Sequence, residues 1–182
     1  MKILRIQKNK ILFENGAEFS LPKNIIKENS LKESMEIDFE SYMLLAESSA
    51  LSFSYWLLAK RDYSRRELET KLLTKYKEKT IISKVITRLN DMCYLNDYDF
   101  AKSFIENHKN WGKKKLEYQL MMKGVSSSIL GELLSENIDN EISEIQKLWE
   151  RMGDKEYRKK VESLIRKGFE YSTIKKAVEN LK

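Results

Sequence analysis

The chain has 182 residues, with 34 Lys and Arg against 28 Asp and Glu, for a formal charge of +6. One Pro and six Gly stand where average usage gives about 22 of the two together. That scarcity of chain breakers argues against a sandwich, a barrel, a collagen-like chain or a disordered linker, and leaves a mainly α fold. A single Cys, Cys93, excludes a disulfide framework and a multi-cysteine zinc site, and is read as a small core hydrophobe. His108, the one histidine, excludes two-histidine metal motifs and sits in a charged stretch with no evident orienting partner. No apolar run reaches the roughly 18 residues of a membrane span, and Met1-Lys2-Ile3-Leu4-Arg5 carries charge where a signal peptide needs its apolar core. These features predict a cytoplasmic protein that is not an enzyme and has no metal, cofactor or membrane partner.

Residues 3–21 differ from the rest. Ile3, Leu4 and Ile6 form one β-like run and Ile11-Leu12-Phe13 a second; Asn15-Gly16 then leads to Phe19 and Leu21. Asn-Gly between apolar runs is a strong hairpin signal, so a small N-terminal β-meander over 1–24 is expected, closed by Pro22. So small a sheet is marginal alone and reads as an appendage to the core. From about residue 39 the pattern turns helical. Phe39 to about Arg61 forms the first helix. Ser64 and Glu67 form a capping box ahead of a second that buries Leu68, Leu72 and Leu73. Ile81, Ile82, Val85, Ile86 and Leu89 mark a third.

The second and third helices recur. Shifted by 48 residues, Leu68 falls on Leu116, Leu72 on Leu120, Ile82 on Leu130 and Ile86 on Leu134. A further 44 residues put Leu120 on Leu164, Lys123-Gly124 on Lys167-Gly168 and Leu130 on Ile174. Both matches are ungapped across a helix–turn–helix. The chain therefore reads as a linker plus a three-helix repeat over 25–94, a second repeat over 95–137 and a third over 138–182. Units this small are expected to stack into an elongated, curved array. The two Lys-Gly pairs are expected to end helices with Gly left-handed; Tyr76 replaces that Gly in the first repeat, so its turn must differ.

Basic residues recur where each second helix starts: Arg65 and Arg66, then Lys113, Lys114 and Lys115, then Arg158, Lys159 and Lys160. Cations there oppose the helix dipole, so a sequence chosen for stability alone would place acids at these positions. The recurrence predicts a partner that supplies negative charge at a ready anion site. Its plain alternative is that a lysine-rich chain scatters its lysines. Tyr63 and Trp111 precede two of these starts; they cap the local core or stack on bases. Trp56, Phe100, Phe104 and Trp149 are expected in the core, and Asp97 and Asp99 at a helix N-terminus rather than on a metal. Gly112 and Gly124 stand alone, and nothing forms a phosphate loop or an active site.

Together, Arg61-Asp62-Tyr63-Ser64-Arg65-Arg66-Glu67-Leu68, Tyr94-Leu95-Asn96-Asp97 with Phe100-Ala101-Lys102-Ser103-Phe104, and Trp111-Gly112-Lys113 running to Lys123-Gly124 resemble the bacterial RecX family of recombinase regulators. The resemblance runs from about Leu51 to Leu134 and more weakly to Leu181. Met35-Glu36-Ile37-Asp38 after the β segment also looks like the leader of some members. Three positions depart. Cys93 replaces the usual Gly before Tyr-Leu, so that turn is not required to take positive φ; Asn96 replaces Asp, and Lys113 a frequent Pro. The resemblance implies a non-enzymatic protein that binds the RecA–single-stranded-DNA filament in its groove; with no obvious unpaired apolar stripe or coiled-coil repeat, a monomer is expected. Family members most often inhibit filament growth, strand exchange and ATP hydrolysis, in DNA repair, homologous recombination and the SOS response. On this view the basic stripe faces filament or DNA, with single- or double-stranded DNA bound weakly. The alternatives are a direct DNA-binding helical repeat without RecA, and an adaptor whose meander recruits a protein by adding a strand to its edge.

Overall fold

A computed structural model describes residues 1–135, 138–179 and 181, excluding the side chains of Ile138 and Asp139. The boundary expected at 137/138 and the final Lys182 involve positions outside these residues. The chain divides into an N-terminal unit, Met1–Leu95, and a C-terminal unit, Asn96–Lys182.

The N-terminal unit opens with three antiparallel strands in the order β1 (Ile3–Gln7), β2 (Lys10–Phe13) and β3 (Glu18–Ser20). Ile6 opposes Ile11, and Ile11 opposes Phe19, which puts one apolar row on the inner face. The turn at Asn15-Gly16 is present, but only Gly16 takes positive φ (79°); Asn15 instead accepts the Ala17 N–H and donates to the Tyr42 hydroxyl. After a short α1 (Lys23–Glu28), which carries no sequence periodicity, come α2 (Phe39–Leu58), α3 (Arg65–Tyr76) and α4 (Lys79–Asp91).

The sheet is no appendage. Ile3, Ile11, Phe13, Phe19 and Leu21 are buried in one cluster with Leu45, Ala50, Leu68, Leu72, Ile82 and Leu89 from α2 to α4. Phe13, Phe19 and Tyr42 pack ring against ring at 4.9–5.1 Å. At about 1.5–3 kcal/mol for each buried side chain, these four strand residues and Leu21 contribute on the order of 10 kcal/mol, far more than a dispensable leader would. Small residues on α2 admit this contact. Ser49, fully buried, accepts the Ser20 N–H at 3.0 Å and meets the Tyr76 hydroxyl at 2.9 Å. The outer edge of β1 is closed by residues 33–37: the Ile3 N–H donates to Met35 O, Ser34 N–H to Ile3 O, and Ile6 N–H to the Glu33 carboxylate. These contacts occupy part of the edge that strand addition would use.

The C-terminal unit holds six helices: α5 (Asp97–Asn107), α6 (Lys113–Met122), α7 (Ser127–Ser135), α8 (Ile138–Arg151), α9 (Tyr157–Arg166) and α10 (Tyr171–Glu179). The second helices of the three repeats start at Arg65, Lys113 and Tyr157, the spacing that the sequence shifts give. Both Lys-Gly pairs end helices as expected. Gly124 (φ 86°) and Gly168 (φ 92°) occupy the left-handed position, with Val125 N–H reaching back to Leu120 O and Phe169 N–H to Leu164 O. In the first repeat that role passes to Lys77 (φ 61°), one residue after Tyr76. Cys93 also takes positive φ, 58°, although it replaces the usual Gly: Tyr94 N–H donates to Leu89 O and Cys93 N–H to Asn90 O, which ends α4 in the same left-handed way. Cys93 is exposed rather than buried. Asn96, not Asp97 or Asp99, caps α5 by accepting the Tyr98 and Asp99 N–H groups.

Candidate binding surface

The three basic helix starts have one place in the repeat and three different environments. At α3, Ser64 accepts the Glu67 N–H while Glu67 reaches back to the Ser64 N–H, so the capping box supplies the negative charge that the dipole seeks. Arg65 and Arg66 are exposed beside it. Tyr63 is buried, and the Arg61 guanidinium lies 3.6 Å over its ring. That geometry makes Tyr63 part of the core wall.

At α6 no side chain of its own caps the helix; Gly112 stands at the N-cap. Its N–H donates to Lys167 O and the Lys114 N–H to Gly168 O, so the carbonyl end of α9 caps the amide end of α6. The Glu141 carboxylate of α8 takes the Lys113 N–H at 2.9 Å. The contact is backbone against backbone. A Cβ on Gly112 would come within 2.2 Å of Phe169 N, and one on Gly168 within 2.4 Å of the Lys115 Cβ. The ready anion site expected at this terminus is therefore already filled by the next repeat. Lys113 remains exposed, at the mouth of a groove of about 530 Å³ that Lys102, Lys109, Glu106 and Glu144 also line. Lys114 pairs with Glu170 at 3.4 Å. Lys115 lies 4.1 Å from the centre of the Trp111 ring, and Trp111 packs on His108, which packs on Phe104. His108 thus has an orienting partner after all: its Nδ1 lies 2.7 Å from Phe104 O.

At α9, Arg158 pairs with Glu162 and Lys159 with Glu156, both in the open. Lys160 is only 9% exposed, with its ammonium over the Trp149 ring. The exposed cations at the three starts are Arg65, Arg66, Lys113, Lys114, Arg158 and Lys159; Lys115 and Lys160 fold back onto tryptophans.

A second basic surface escaped the sequence reading. Trp56, expected in the core, is 53% exposed. Its ring stacks on Phe53 (5.7 Å, 18°), Lys60 sits 3.5 Å over Trp56, and Lys75 sits 4.0 Å over Phe53. Partial burial pulls the Lys75 ammonium below its ordinary pKa, opposed by the Glu18 charge and reinforced by Lys10. The signal was available: the Trp56–Lys60 spacing puts a cation one turn from an indole.

Among the described residues, no cluster of His, Cys, Asp or Glu could hold a metal ion, and no helix is long and apolar enough to cross a membrane.

The comparisons with known proteins converge. Residues 50–89 match the family model "RecX, first three-helix domain". A regulatory protein RecX of Prosthecochloris aestuarii is 33% identical over 141 positions, covering 72% of this chain and 93% of the relative. One from Streptococcus sanguinis is 28% identical over 199 positions, covering all of this chain and 77% of the relative. The crystal structure of RecX from Lactobacillus salivarius superposes with a TM-score of 0.66 at 25% identity, over 75% of this chain and 96% of that one. A second crystal structure of a regulatory protein RecX shares the fold across 97% of both chains, with a TM-score of 0.59 at 16% identity. With the three-helix repeat, its spacing and its leader sheet all in place, this chain belongs to the RecX family of regulatory proteins.

Proposed function

We propose that this protein binds the RecA–single-stranded-DNA filament in the cytoplasm and inhibits its ATP hydrolysis and strand exchange, acting as a monomer without catalysis of its own. The observation that carries the reading is an exposed cation pair in the first turn of each repeat's second helix: Arg65 and Arg66, Lys113 and Lys114, and, one residue further along, Arg158 and Lys159. A polyanionic partner with a regular repeat meets such a series at several points at once, and its hold falls steeply with salt. Family membership supports the choice of RecA as that partner. Lys115 and Lys160 support the array from inside, and Tyr63 and Trp111 shape the core behind it. The three repeats, divided at about 94/95 and 137/138, act in this reading as successive contact modules.

The test is RecA's single-stranded-DNA-dependent ATP hydrolysis, with the protein titrated below one molecule per RecA at two salt concentrations. Salt-sensitive inhibition is expected. The double variant Arg66→Glu, Lys113→Glu, which leaves the Lys114–Glu170 pair intact, should lose inhibition while keeping wild-type helicity and melting. Full inhibition by that variant would remove the stripe from the mechanism. An unchanged ATPase rate with DNA binding intact would favour the direct DNA-binding repeat.

A further inference from the structure

We propose that the N-terminal unit carries a separate stacking platform for single-stranded nucleic acid, built from Phe53 and Trp56 on α2 and flanked by Lys60 and Lys75. Four groups follow one another along it, two rings between two cations. Lys75 lies 4.0 Å over Phe53, Phe53 stacks on Trp56 at 5.7 Å, and Lys60 lies 3.5 Å over Trp56. Lys10 continues the positive charge onto the outer face of the sheet, where it pairs with Glu18.

The exposure of Trp56 needs a reason. Leu45, Ala46, Ser49, Ala50, Ser54 and Leu57 fill the buried face of α2; Trp56 falls on the same side but in the last turn of the helix, with more than half its surface in water. An exposed cation–π contact is weak, so a base and its phosphate can take the ring and the ammonium in exchange at little cost. Single strands present both elements: an aromatic face on every base and a charge on every phosphate. A duplex buries its base faces and offers the lysines alone. An acidic peptide satisfies the lysines and leaves the Trp56 ring in water. The single strand is therefore the occupant that the whole ladder fits. This inference stands apart from the filament reading, since it uses none of the basic helix starts.

The experiment is fluorescence anisotropy of a labelled oligothymidylate titrated with the full chain, without RecA, beside a duplex of equal length and a polyglutamate competitor. Trp56→Ala should weaken oligothymidylate binding about tenfold, and Trp56→Tyr should restore most of it. Duplex binding should be weaker and indifferent to both changes. Equal affinity of wild type and Trp56→Ala for the single strand would overturn the platform. So would a parallel loss for duplex, or polyglutamate competition that depends on Trp56; that last result would assign the surface to an acidic protein. A circular dichroism melt of Trp56→Tyr keeps the reading independent of misfolding.

Discussion

The first and second repeats close their helix ends by opposite means. In the first, α3 is capped by its own Ser64 and Glu67, and left-handed turns fall on Lys77 and Cys93, residues with side chains. In the second, α6 has no cap of its own, the turn falls on Gly124, and the missing hydrogen bonds come from Lys167 and Gly168 of the third repeat. The first repeat also has a sheet that extends its core. The second and third have small cores of their own and gain from each other what the first gains from its leader. A shared pattern of apolar residues thus fixes the helices without fixing where each repeat draws its stability.

The contrast can be broken at its strongest point first. Phe13→Ala, in the sheet core, should cost about 3–5 kcal/mol. Hydrogen exchange should then rise across α2 to α4 while α5 to α10 keep their protection. Equal loss in both units would refute the division. Gly168→Ala combines left-handed strain with a clash on Lys115 and should cost about 3 kcal/mol in urea unfolding of the C-terminal unit. A neutral result would mean that the backbone contact with α6 is not required. Ser64→Ala should cost about 1 kcal/mol, the usual worth of an N-cap, confined to the N-terminal unit. Cys93→Gly should instead stabilise by about 0.5–1 kcal/mol, since it removes a side chain from a left-handed turn.

The smallest effect is a pH dependence. Asp38 caps α2, and the Ser41 N–H and hydroxyl hold its carboxyl below the ordinary value of 3.8. A lowered folded pKa means that its stabilisation is present above that value and fades as pH falls through the folded one. Urea midpoints of wild type should therefore fall below those of Asp38→Asn only on strong acidification. Parallel curves throughout would show that the cap carries no charge-dependent share.

How far the sequence could be read follows the range of the forces. The capping box, the two Lys-Gly endings and the 48- and 44-residue spacings are local or periodic, and each was legible. The inward role of the sheet was not, because alternation shows that Ile11 and Phe19 share a face but not what covers it. Cys93 was read as a core residue but is exposed, because it sits in the left-handed turn that ends α4, set by the hydrogen bonds to Leu89 and Asn90 around it. Of the basic starts, their position was legible and their accessibility was not: Lys115 and Lys160 differ from their neighbours only through the tryptophans they reach. One overlooked sign was Gly112 at the cap position that Ser64 fills one repeat earlier, since a glycine there leaves room for another backbone.

The seating of Gly168 against α6 also bears on how the chain matures as it is made. The amides that open α6 are synthesised more than fifty residues before the carbonyls that satisfy them. Until Lys167 and Gly168 have left the ribosome, the middle repeat has a lysine-studded helix start without its cap. The N-terminal unit needs nothing beyond Leu95 to close its core. Translation should therefore yield one finished module early and leave the start of α6 without its cap until Gly168 has emerged.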